Sequence, residues 1–243
     1  MNAKWLEHLL EYRVSEHRVV ALQTLLREKI ARQATAARRY KKQFVPPKVL
    51  QETNEKKLLL IEARYARMYW SAFARALPKW CAWKGRVPHG TDVANKLLDI
   101  GYHTLSLILQ KKCEALNIPT EVGLLHRAQS AKAHPLVYDL MEPFRVHVVD
   151  EVLMTFFHMK KHPIVQVDQI IVQEFLHEVY AILHRQYYHR ERRVCISFSY
   201  WIDLVLLGLR GAVSGQRKFK PLWTPLRHET RCNRKPPTTM SEV

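Results

Sequence analysis

The chain has 243 residues, of which 47% are hydrophobic, so it is long enough to bury a core and to fold as one large domain or two small ones. Its 39 Lys and Arg outnumber its 22 Asp and Glu, and the net charge of +17 indicates a polyanionic partner, either nucleic acid or an anionic membrane surface. The apolar run from Trp201 to Leu209 is interrupted by Asp203 and is far shorter than the roughly 20 residues that cross a bilayer, which disfavours the membrane. The N-terminus lacks the small-residue cleavage site of a secretory signal, so we expect a cytoplasmic protein that binds nucleic acid.

Helical periodicity extends over almost the whole chain, which contains only seven glycines to interrupt it. We therefore expect an all-α protein in which only the short segment RVCISFSY alternates like a strand. A helical segment at residues 1–45 would precede a single helical domain at residues 46–226. The basic tail at residues 227–243 has the composition of a disordered segment.

The first predicted helix extends from about Trp5 to Tyr40 and is stopped by Pro46 and Pro47. Its second half, residues 27–42, contains seven Lys or Arg and a single acidic residue, Glu28. Such a run is either an ordinary solvated helix face or a surface for DNA or for a second subunit. The sequence leaves both readings open.

The second predicted helix, EKKLLLIEARYARMYWSAFARAL, places Leu58, Ile61 and Tyr65 on one apolar stripe. Glu62 lies beside this stripe, so we expect its carboxylate at the rim of the buried face. A carboxylate in that position needs a nearby cation, an arginine or a metal ion, unless it is a surface residue that reaches into water.

The third predicted helix extends from about Asp92 to Leu116, with Thr91 or Asp92 as its N-cap. Asn95 falls in its first turns, and Gly101 allows a neighbouring element to approach closely. A connection with His126 follows, and the chain then returns to helix.

Two acidic residues stand out in GLLHRAQSAKAHPLVYDLMEPFR, residues 123–145. Asp139 and Glu142 are three residues apart, which puts both carboxylates on one side of the first turn of a helix, where Pro143 is still tolerated. The same spacing is that of a capping box. If the fold also brings His126 close, one imidazole and two or three carboxylates form a hard site suited to Mg²⁺ or Mn²⁺, which can neutralise charge on a phosphodiester.

The cysteines and histidines are scattered along the chain. Most of the 13 histidines are expected to be bystanders, and only one with suitably placed neighbours is a candidate ligand or proton carrier. No cysteines have the paired spacing of a zinc site or of a disulfide framework, so we expect reduced thiols at Cys81, Cys113, Cys195 and Cys232.

Four stretches together resemble the CRISPR-associated integrase of spacer acquisition, the first of the two universal adaptation proteins, and specifically its helical catalytic domain. They occur in the order of that family: LREKIARQATAARRY, IEARYARMYW, DVANKLLDIGYHTL and GLLHRAQ followed by PLVYDLMEPFR. The last stretch is the most specific, because it joins a G-x-x-H to DLMEPFR at the distance that the family shows.

The resemblance implies a metal site and a DNA surface. Glu62, His126 and Glu142 would bind Mg²⁺ or Mn²⁺, and Asp139 would complete the catalytic group as the adjacent acidic residue that supports the site. Arg145 would hold a phosphate. The residues implied in DNA binding are Arg145, Tyr138, Asn95, Arg32, Arg38 and Arg39.

The resemblance also implies a reaction and its partners. The 3′-hydroxyl ends of short DNA fragments, or prespacers, would be joined by transesterification to the CRISPR array at the leader and repeat. The partners would be double-stranded DNA and further copies of the chain in a dimer or tetramer. A requirement for the small second adaptation protein is left open, and the source would be prokaryotic or a phage.

Members of this family normally carry an N-terminal β-rich domain, but residues 1–26 are too few and too helical to form one. Two other functions remain open on the residues alone. The chain could be a DNA-binding scaffold without catalysis, or a metal-dependent nuclease that cuts branched DNA with the same site.

Overall fold

The computed structural model describes residues 3–41, 44–47, 51–126, 134–189 and 192–215. The predicted basic tail, residues 227–243, lies outside these ranges. The elements in chain order are α1 (Ala3–Val14), α2 (Glu16–Arg39), α3 (Glu55–Ala76), a 3₁₀ turn (Lys79–Cys81), α4 (Val93–Ala115), α5 (Pro135–Arg145), a π turn (Val146–Asp150), α6 (Glu151–Met159), α7 (Gln169–His184), β1 (Gln186–His189), β2 (Val194–Ser197) and α8 (Phe198–Val213).

The predicted all-α class is confirmed. Within the described residues the only β structure is the antiparallel pair of β1 and β2, in which Tyr187 faces Ile196 across the hairpin. The segment RVCISFSY contains β2, as its alternation predicted. No β-rich domain lies among the described residues before α2, so the described part corresponds to a helical domain.

The prediction of one helix from about Trp5 to Tyr40 is wrong in one respect. The structure divides this segment into α1 and α2 at Ser15. Ser15 has an extended backbone, with φ −84° and ψ 162°, and its hydroxyl donates a hydrogen bond to the carbonyl oxygen of Tyr12 at 2.8 Å. Serine favours helix ends because its short hydroxyl competes with the helix for backbone groups. The apolar periodicity continues across the break and therefore conceals it.

Side-chain caps fix where α3 and α4 begin. Asn54 accepts a hydrogen bond from the backbone N–H of Lys57 at 3.2 Å, and Asp92 accepts one from that of Asn95 at 2.9 Å. Each cap satisfies a backbone donor that has no partner within its own helix. The sequence left Thr91 and Asp92 open as the cap of α4, and the structure selects Asp92.

The core forms where α2 packs against α3 and α5, and where α4 packs against α5 and α7. The helices α2, α3, α4 and α5 each contribute a fully buried side chain to this core, namely Ile30, Phe73, Leu105 and Phe144. Because α2 contacts both α3 and α5, charged residues on its inner side meet residues from two other helices. This arrangement positions the candidate site.

The close approach predicted at Gly101 is confirmed. A Cβ atom at this position would lie 2.5 Å from Cγ1 of Val149 and 3.2 Å from a ring carbon of Phe175. Carbon atoms do not approach this closely without displacement, so α4 can contact the π turn and α7 only with glycine here.

The capping box that the spacing of Asp139 and Glu142 left open is not formed, and the prediction that both lie in the first turn of a helix is wrong. The helix α5 begins at Pro135, five residues earlier than a capping box with Asp139 as N-cap requires, and its N-cap is His134. Asp139 and Glu142 thus lie within the helix, and Pro143 lies in its interior. Proline has no N–H to donate to the preceding turn. The helix continues directly into the π turn Val146–Asp150, an irregularity often found at functional sites.

The apolar run that ends the described chain lies in α8. It is held against α4 by an ion pair, in which Nζ of Lys112 lies 2.7 Å from Oδ1 of Asp203. The acidic residue that interrupts the run therefore has a cation partner inside the protein. No helix among the described residues combines the length and the apolar character needed to cross a membrane.

The expectation of reduced cysteines is wrong for Cys195, which is disulfide-bonded. Cys81 and Cys113 are free thiols, and burial raises the pKa of each to about 12. Cys232 lies outside the described residues.

Candidate active site

Two carboxylates from different helices meet at one ammonium group. Nζ of Lys29, on α2, lies 2.7 Å from Oε1 of Glu62 on α3 and 2.6 Å from Oε2 of Glu142 on α5. All three side chains are largely enclosed, with 14%, 18% and 11% of their surfaces exposed. The prediction that Glu62 lies at the rim of the apolar face beside a compensating cation is confirmed.

The sequence did not single out Lys29. It lies within the basic run of residues 27–42, where its neighbours Arg38 and Arg39 are exposed. A signal was nevertheless available, because Leu26, Ile30 and Gln33 share its side of the helix and are buried. A lysine on the buried side of an amphipathic helix is rare unless it is paired.

Glu142 lies between two cations. Its Oε1 is 2.9 Å from Nη1 of Arg145, one helical turn later. Its Oε2 is buried and close to Lys29, yet accepts no hydrogen bond of good geometry from the described residues. Burial alone would raise the pKa of Glu142, but Lys29 and Arg145 outweigh it and lower the pKa to about 2. Conversely, burial lowers the pKa of Lys29, but Glu142 and Glu62 outweigh it and raise that pKa.

His126 is held by Asp139. Its Nδ1 lies 2.7 Å from Oδ1 of Asp139, whose carboxylate also accepts the backbone N–H groups of Leu124, Leu125 and His126. The hydrogen bond to Asp139 raises the pKa of His126 despite its partial burial. Because Nδ1 is used, Nε2 is the ring nitrogen that can bind a metal or carry a proton.

Glycine permits this loop to fold over α5. A Cβ atom at Gly123 would lie 2.9 Å from Oδ2 of Asp139 and 2.5 Å from the carbonyl oxygen of His126. The loop can therefore bring its N–H groups to the carboxylate only with glycine at this position. The G-x-x-H spacing is thus explained by the contact between the loop and α5.

A complete metal cluster is not formed in this arrangement. Among the described residues, no group of three His, Cys, Asp or Glu side chains converges closely enough to hold an ion. Glu62 and Glu142 meet at Lys29, while His126 is paired with Asp139, although Glu142 is near enough to raise the pKa of His126. The predicted triad therefore stays a prediction.

The donor set nevertheless fits Mg²⁺ or Mn²⁺. Two carboxylates and one imidazole form a hard, oxygen-rich set with no sulfur, which suits these ions better than structural zinc. The buried Oε2 atom of Glu142 lacks a hydrogen-bond donor of good geometry and lies beside a cation, the Lys29 ammonium at 2.6 Å, so this position suits positive charge.

A cavity of about 510 Å³ adjoins the paired carboxylates. It extends from Lys29 and Glu142 past Tyr102 to Arg86 and His103. The guanidinium groups of Arg86 and Arg145 lie 5.4 and 4.7 Å from the centre of the Tyr102 ring. Basic and aromatic side chains around one groove are the features with which proteins bind a nucleic-acid strand.

Asp150, on the π turn, also lines this cavity, and no sequence pattern predicted it. It is buried and accepts hydrogen bonds from the hydroxyls of Tyr69, at 2.8 Å, and Tyr102, at 2.6 Å. Burial raises the pKa of Asp150 to about 6, although both tyrosines counteract this effect. The segment VHVVDEV looks like part of an apolar helix, which is why this carboxylate was missed.

A family model described as "CRISPR associated protein Cas1" matches residues 3–178, which is more than half of the chain. The chain belongs to the Cas1 family. A curated relative from Saccharolobus solfataricus, "CRISPR-associated endonuclease Cas1 1", is 35% identical over 96 residues, which are 38% of this chain and 27% of that protein. Its namesake from Francisella tularensis subsp. novicida is 25% identical over 161 residues, 66% of this chain and 49% of that protein. The chain thus spans less than half the length of these Cas1 relatives.

Solved structures share the fold. A "Casposase bound to integration product" superposes with a TM-score of 0.79 at 18% identity, over 97% of this chain and 71% of that chain. A Cas1 protein from Thermotoga maritima superposes with a TM-score of 0.73 at 18% identity, over 88% of this chain and 72% of that chain. A "Cas6-RT-Cas1--Cas2 complex" superposes with a TM-score of 0.69 at 18% identity, over 90% of this chain and 26% of that chain. These likenesses support the helical architecture of the described domain.

Two of the predicted DNA-binding residues of this Cas1-family chain, Tyr138 and Arg145, line the cavity beside the paired carboxylates. Tyr138 is exposed and its ring centre is 6.1 Å from that of His126. Arg145 is partly exposed, pairs with Glu142 and lies over Tyr102. Both line the cavity, and their predicted contact with DNA stays a prediction.

Asn95 has a different place from the one predicted. Its side chain is buried, and its amide group donates to Asp92 and to the carbonyl oxygen of Gly85, while its oxygen accepts from Arg86 and from the N–H of Val87. All of these bonds attach the loop before α4 to the helix. In this arrangement Asn95 positions Arg86 and is not accessible to DNA.

The basic run of α2 is divided between surface and interior. Arg38 and Arg39 are exposed, and Arg39 pairs with Glu151. The side chain of Arg32 is only 11% exposed and pairs with Glu28 at 3.3 Å. Arg38, Arg39 and Lys41 are thus exposed members of this run, and the predicted DNA contacts of Arg38 and Arg39 stay predictions.

Proposed function

We propose that this chain is the catalytic helical domain of a CRISPR-adaptation integrase, which joins the 3′-hydroxyl ends of prespacers to the leader and repeat of a CRISPR array. One observation carries the proposal: Glu62 and Glu142 meet around a single cation position beside a basic, aromatic cavity. Membership of the Cas1 family supports it.

Each side chain has a role in this reaction. Glu62, Glu142 and Nε2 of His126 would hold Mg²⁺ or Mn²⁺, which activates the attacking hydroxyl and stabilises charge on the phosphate oxygens. Asp139 orients His126, which acts first as a ligand and second as a proton carrier. Arg145 neutralises a non-bridging phosphate oxygen.

The chemistry needs no external energy source. The 3′-hydroxyl loses its proton and forms a new phosphodiester bond, while the existing bond at the repeat boundary breaks and its oxygen leaves with a proton. One ester replaces another. The chain therefore has to supply orientation and charge, and needs no energy-rich cofactor.

Insertion into both strands requires two 3′ ends, so we propose that the chain acts as a dimer or tetramer on double-stranded DNA. The Cas1 and Cas2 named together in one similar structure make the small second adaptation protein a further candidate partner. Because the reaction uses cellular or phage DNA, we place the protein in a prokaryotic cytoplasm.

A second candidate function is cleavage of branched DNA with the same residues. The curated relatives are named endonucleases, and hydrolysis differs from joining in that water replaces the 3′-hydroxyl. A third is a scaffold without metal, favoured by the observation that Lys29 and Arg145 already compensate Glu142.

The experiment that separates these functions is strand transfer of a short labelled duplex into supercoiled plasmid. The chain is compared with its His126→Ala variant, in Mg²⁺ or Mn²⁺ and in a chelator, with no second adaptation protein present. Covalent joining that needs both the divalent ion and His126 supports the integrase. Metal-dependent cutting of branched DNA without joining supports the nuclease, and DNA binding without either activity supports the scaffold.

A further inference from the structure

We infer that Lys29 is a built-in counter-cation of the metal site, which holds Glu62 and Glu142 together and which a divalent ion must displace in order to bind. The inference rests on the proposed metal-dependent function. It adds a residue that sets how tightly the site binds its ion.

The geometry places the ammonium where the ion is expected. Nζ of Lys29 lies 2.7 Å from Oε1 of Glu62 and 2.6 Å from Oε2 of Glu142. An ion held by both carboxylates would need the space that this ammonium fills, since carboxylate oxygens are ligands that Mg²⁺ and Mn²⁺ prefer. Two cations cannot share it, because they would repel each other strongly at such a separation.

The charges of the surrounding residues support the same conclusion. Glu62 and Glu142 supply two negative charges, and Lys29 and Arg145 supply two positive charges beside them. With Lys29 in place these charges cancel, so the two carboxylates attract a divalent ion weakly. When Lys29 leaves, a net negative charge remains on the carboxylates and attracts the ion.

The adjoining cavity has room for the displaced side chain of Lys29. Its side chain lines the cavity of about 510 Å³ together with Gln33 and Arg145. A lysine has a flexible four-carbon stem, so its ammonium can leave the carboxylates while the backbone of α2 stays in place. The released ammonium then faces the space proposed for the DNA phosphates.

An ordinary structural ion pair is the alternative, and the chain offers a matched example. Lys112 lies 2.7 Å from Asp203, joins two helices and is 17% exposed, against 14% for Lys29. It has a single carboxylate partner among the described ion pairs. Replacing Lys112 removes a comparable ion pair without changing the charge between Glu62 and Glu142.

The test measures the affinity for Mn²⁺ and not activity. The chain, its Lys29→Met variant and its Lys112→Met variant are titrated with Mn²⁺ by calorimetry at one pH, and their thermal midpoints are recorded in chelator and in Mn²⁺. We expect Lys29→Met to bind Mn²⁺ at least about tenfold more tightly than the unaltered chain, because a unit charge next to the ion has been removed. Lys112→Met should bind Mn²⁺ as the unaltered chain does.

The midpoints provide a second readout. In chelator we expect Lys29→Met to have a lower thermal midpoint than the unaltered chain, since its two carboxylates lose their shared partner. Addition of Mn²⁺ should raise the thermal midpoint of Lys29→Met by more than it raises that of the unaltered chain. If this variant does not fold, Lys29→Gln carries the same test, because its amide can donate to both carboxylates.

Equal or weaker Mn²⁺ binding by the Lys29 variant overturns the inference while leaving the metal-dependent function intact. If neither the unaltered chain nor any variant binds Mn²⁺, both the inference and the metal-dependent function are contradicted.

Discussion

Asp139 is the residue on which the geometry of His126 depends. Its buried carboxylate accepts three backbone N–H groups as well as Nδ1 of His126. His126 itself is partly exposed and contacts fewer groups. Replacing either residue should therefore reduce activity, but only the loss of Asp139 should also unfold the loop.

We predict that Asp139→Asn lowers the free energy of unfolding by about 1–3 kcal/mol, since the amide cannot accept all of these donors. Strand transfer should fall by about 10–100-fold, the usual effect of losing a residue that orients a metal ligand. Denaturant titration and the joining assay check both numbers. His126→Ala is the matched control, with joining lost and stability changed by less than about 1 kcal/mol. Equal destabilisation by the two variants would be evidence against a special role of Asp139 in holding the loop.

Asp150 makes the stability of the protein depend on pH in a predictable direction. Burial raises its folded pKa to about 6, above the usual 3.8, so between these values the folded protein keeps a proton that the unfolded chain has released. We predict that stability falls as the pH rises from about 4 to about 6, by at most about 3 kcal/mol from this group, and that its contribution is constant above that range.

The control for this prediction is Asp150→Asn, which does not titrate. Denaturant titration at several pH values gives the difference in unfolding free energy between the unaltered chain and this variant. This difference separates the contribution of the Asp150 carboxyl from that of the histidines, which both proteins share. A difference that stays constant from pH 4 to 7 would contradict the buried, protonatable Asp150.

At the residue scale, the sequence predicted Glu62, His126, Asp139 and Glu142 because each belongs to a local motif that can be recognised. It missed Lys29, whose importance comes from contacts with α3 and α5 that lie far away in the chain. It also placed Asn95 on DNA, although the fold buries that side chain in a loop anchor.

At the scale of elements, close packing of α4 controls where the π turn lies. We predict that Gly101→Ala lowers the free energy of unfolding by about 1–3 kcal/mol, because the added methyl overlaps Val149 and Phe175. Denaturant titration measures the change.

Gly208→Ala is the matched control, since a Cβ atom in α8 at that position meets nothing within 4 Å. Alanine is a better helix former than glycine, so this variant should gain about 0.5–1 kcal/mol. If the two variants shift stability in the same direction, packing at Gly101 does not have the role described.

Helical periodicity predicted most helices well, and the errors lie at helix ends. The break at Ser15 was concealed because apolar residues continue on both sides of it. The helix start predicted at Asp139 was wrong because α5 begins at Pro135, and a D-x-x-E spacing fits the interior of a helix as well as its start. The helix start depends on contacts of the preceding loop with α5, which local patterns do not contain.

At the scale of the whole molecule, charge and family predict an assembly on DNA. We predict that light-scattering mass measurement, with a short duplex bound, gives at least two copies of the chain, since two 3′ ends have to be delivered together. A stable monomer, both alone and with DNA, would contradict the proposed pairing.

The measurement that tests the central claim most directly compares two labelled duplexes that differ only in the oxygen atom at each 3′ end. One carries 3′-hydroxyl ends and the other 3′-deoxy ends, and each is incubated with supercoiled plasmid, Mn²⁺ and the chain. The integrase account predicts covalent joining of the label only from the hydroxyl duplex, and its loss in His126→Ala. Joining that is independent of the 3′-hydroxyl, or plasmid cutting with no joining from either duplex, would contradict it.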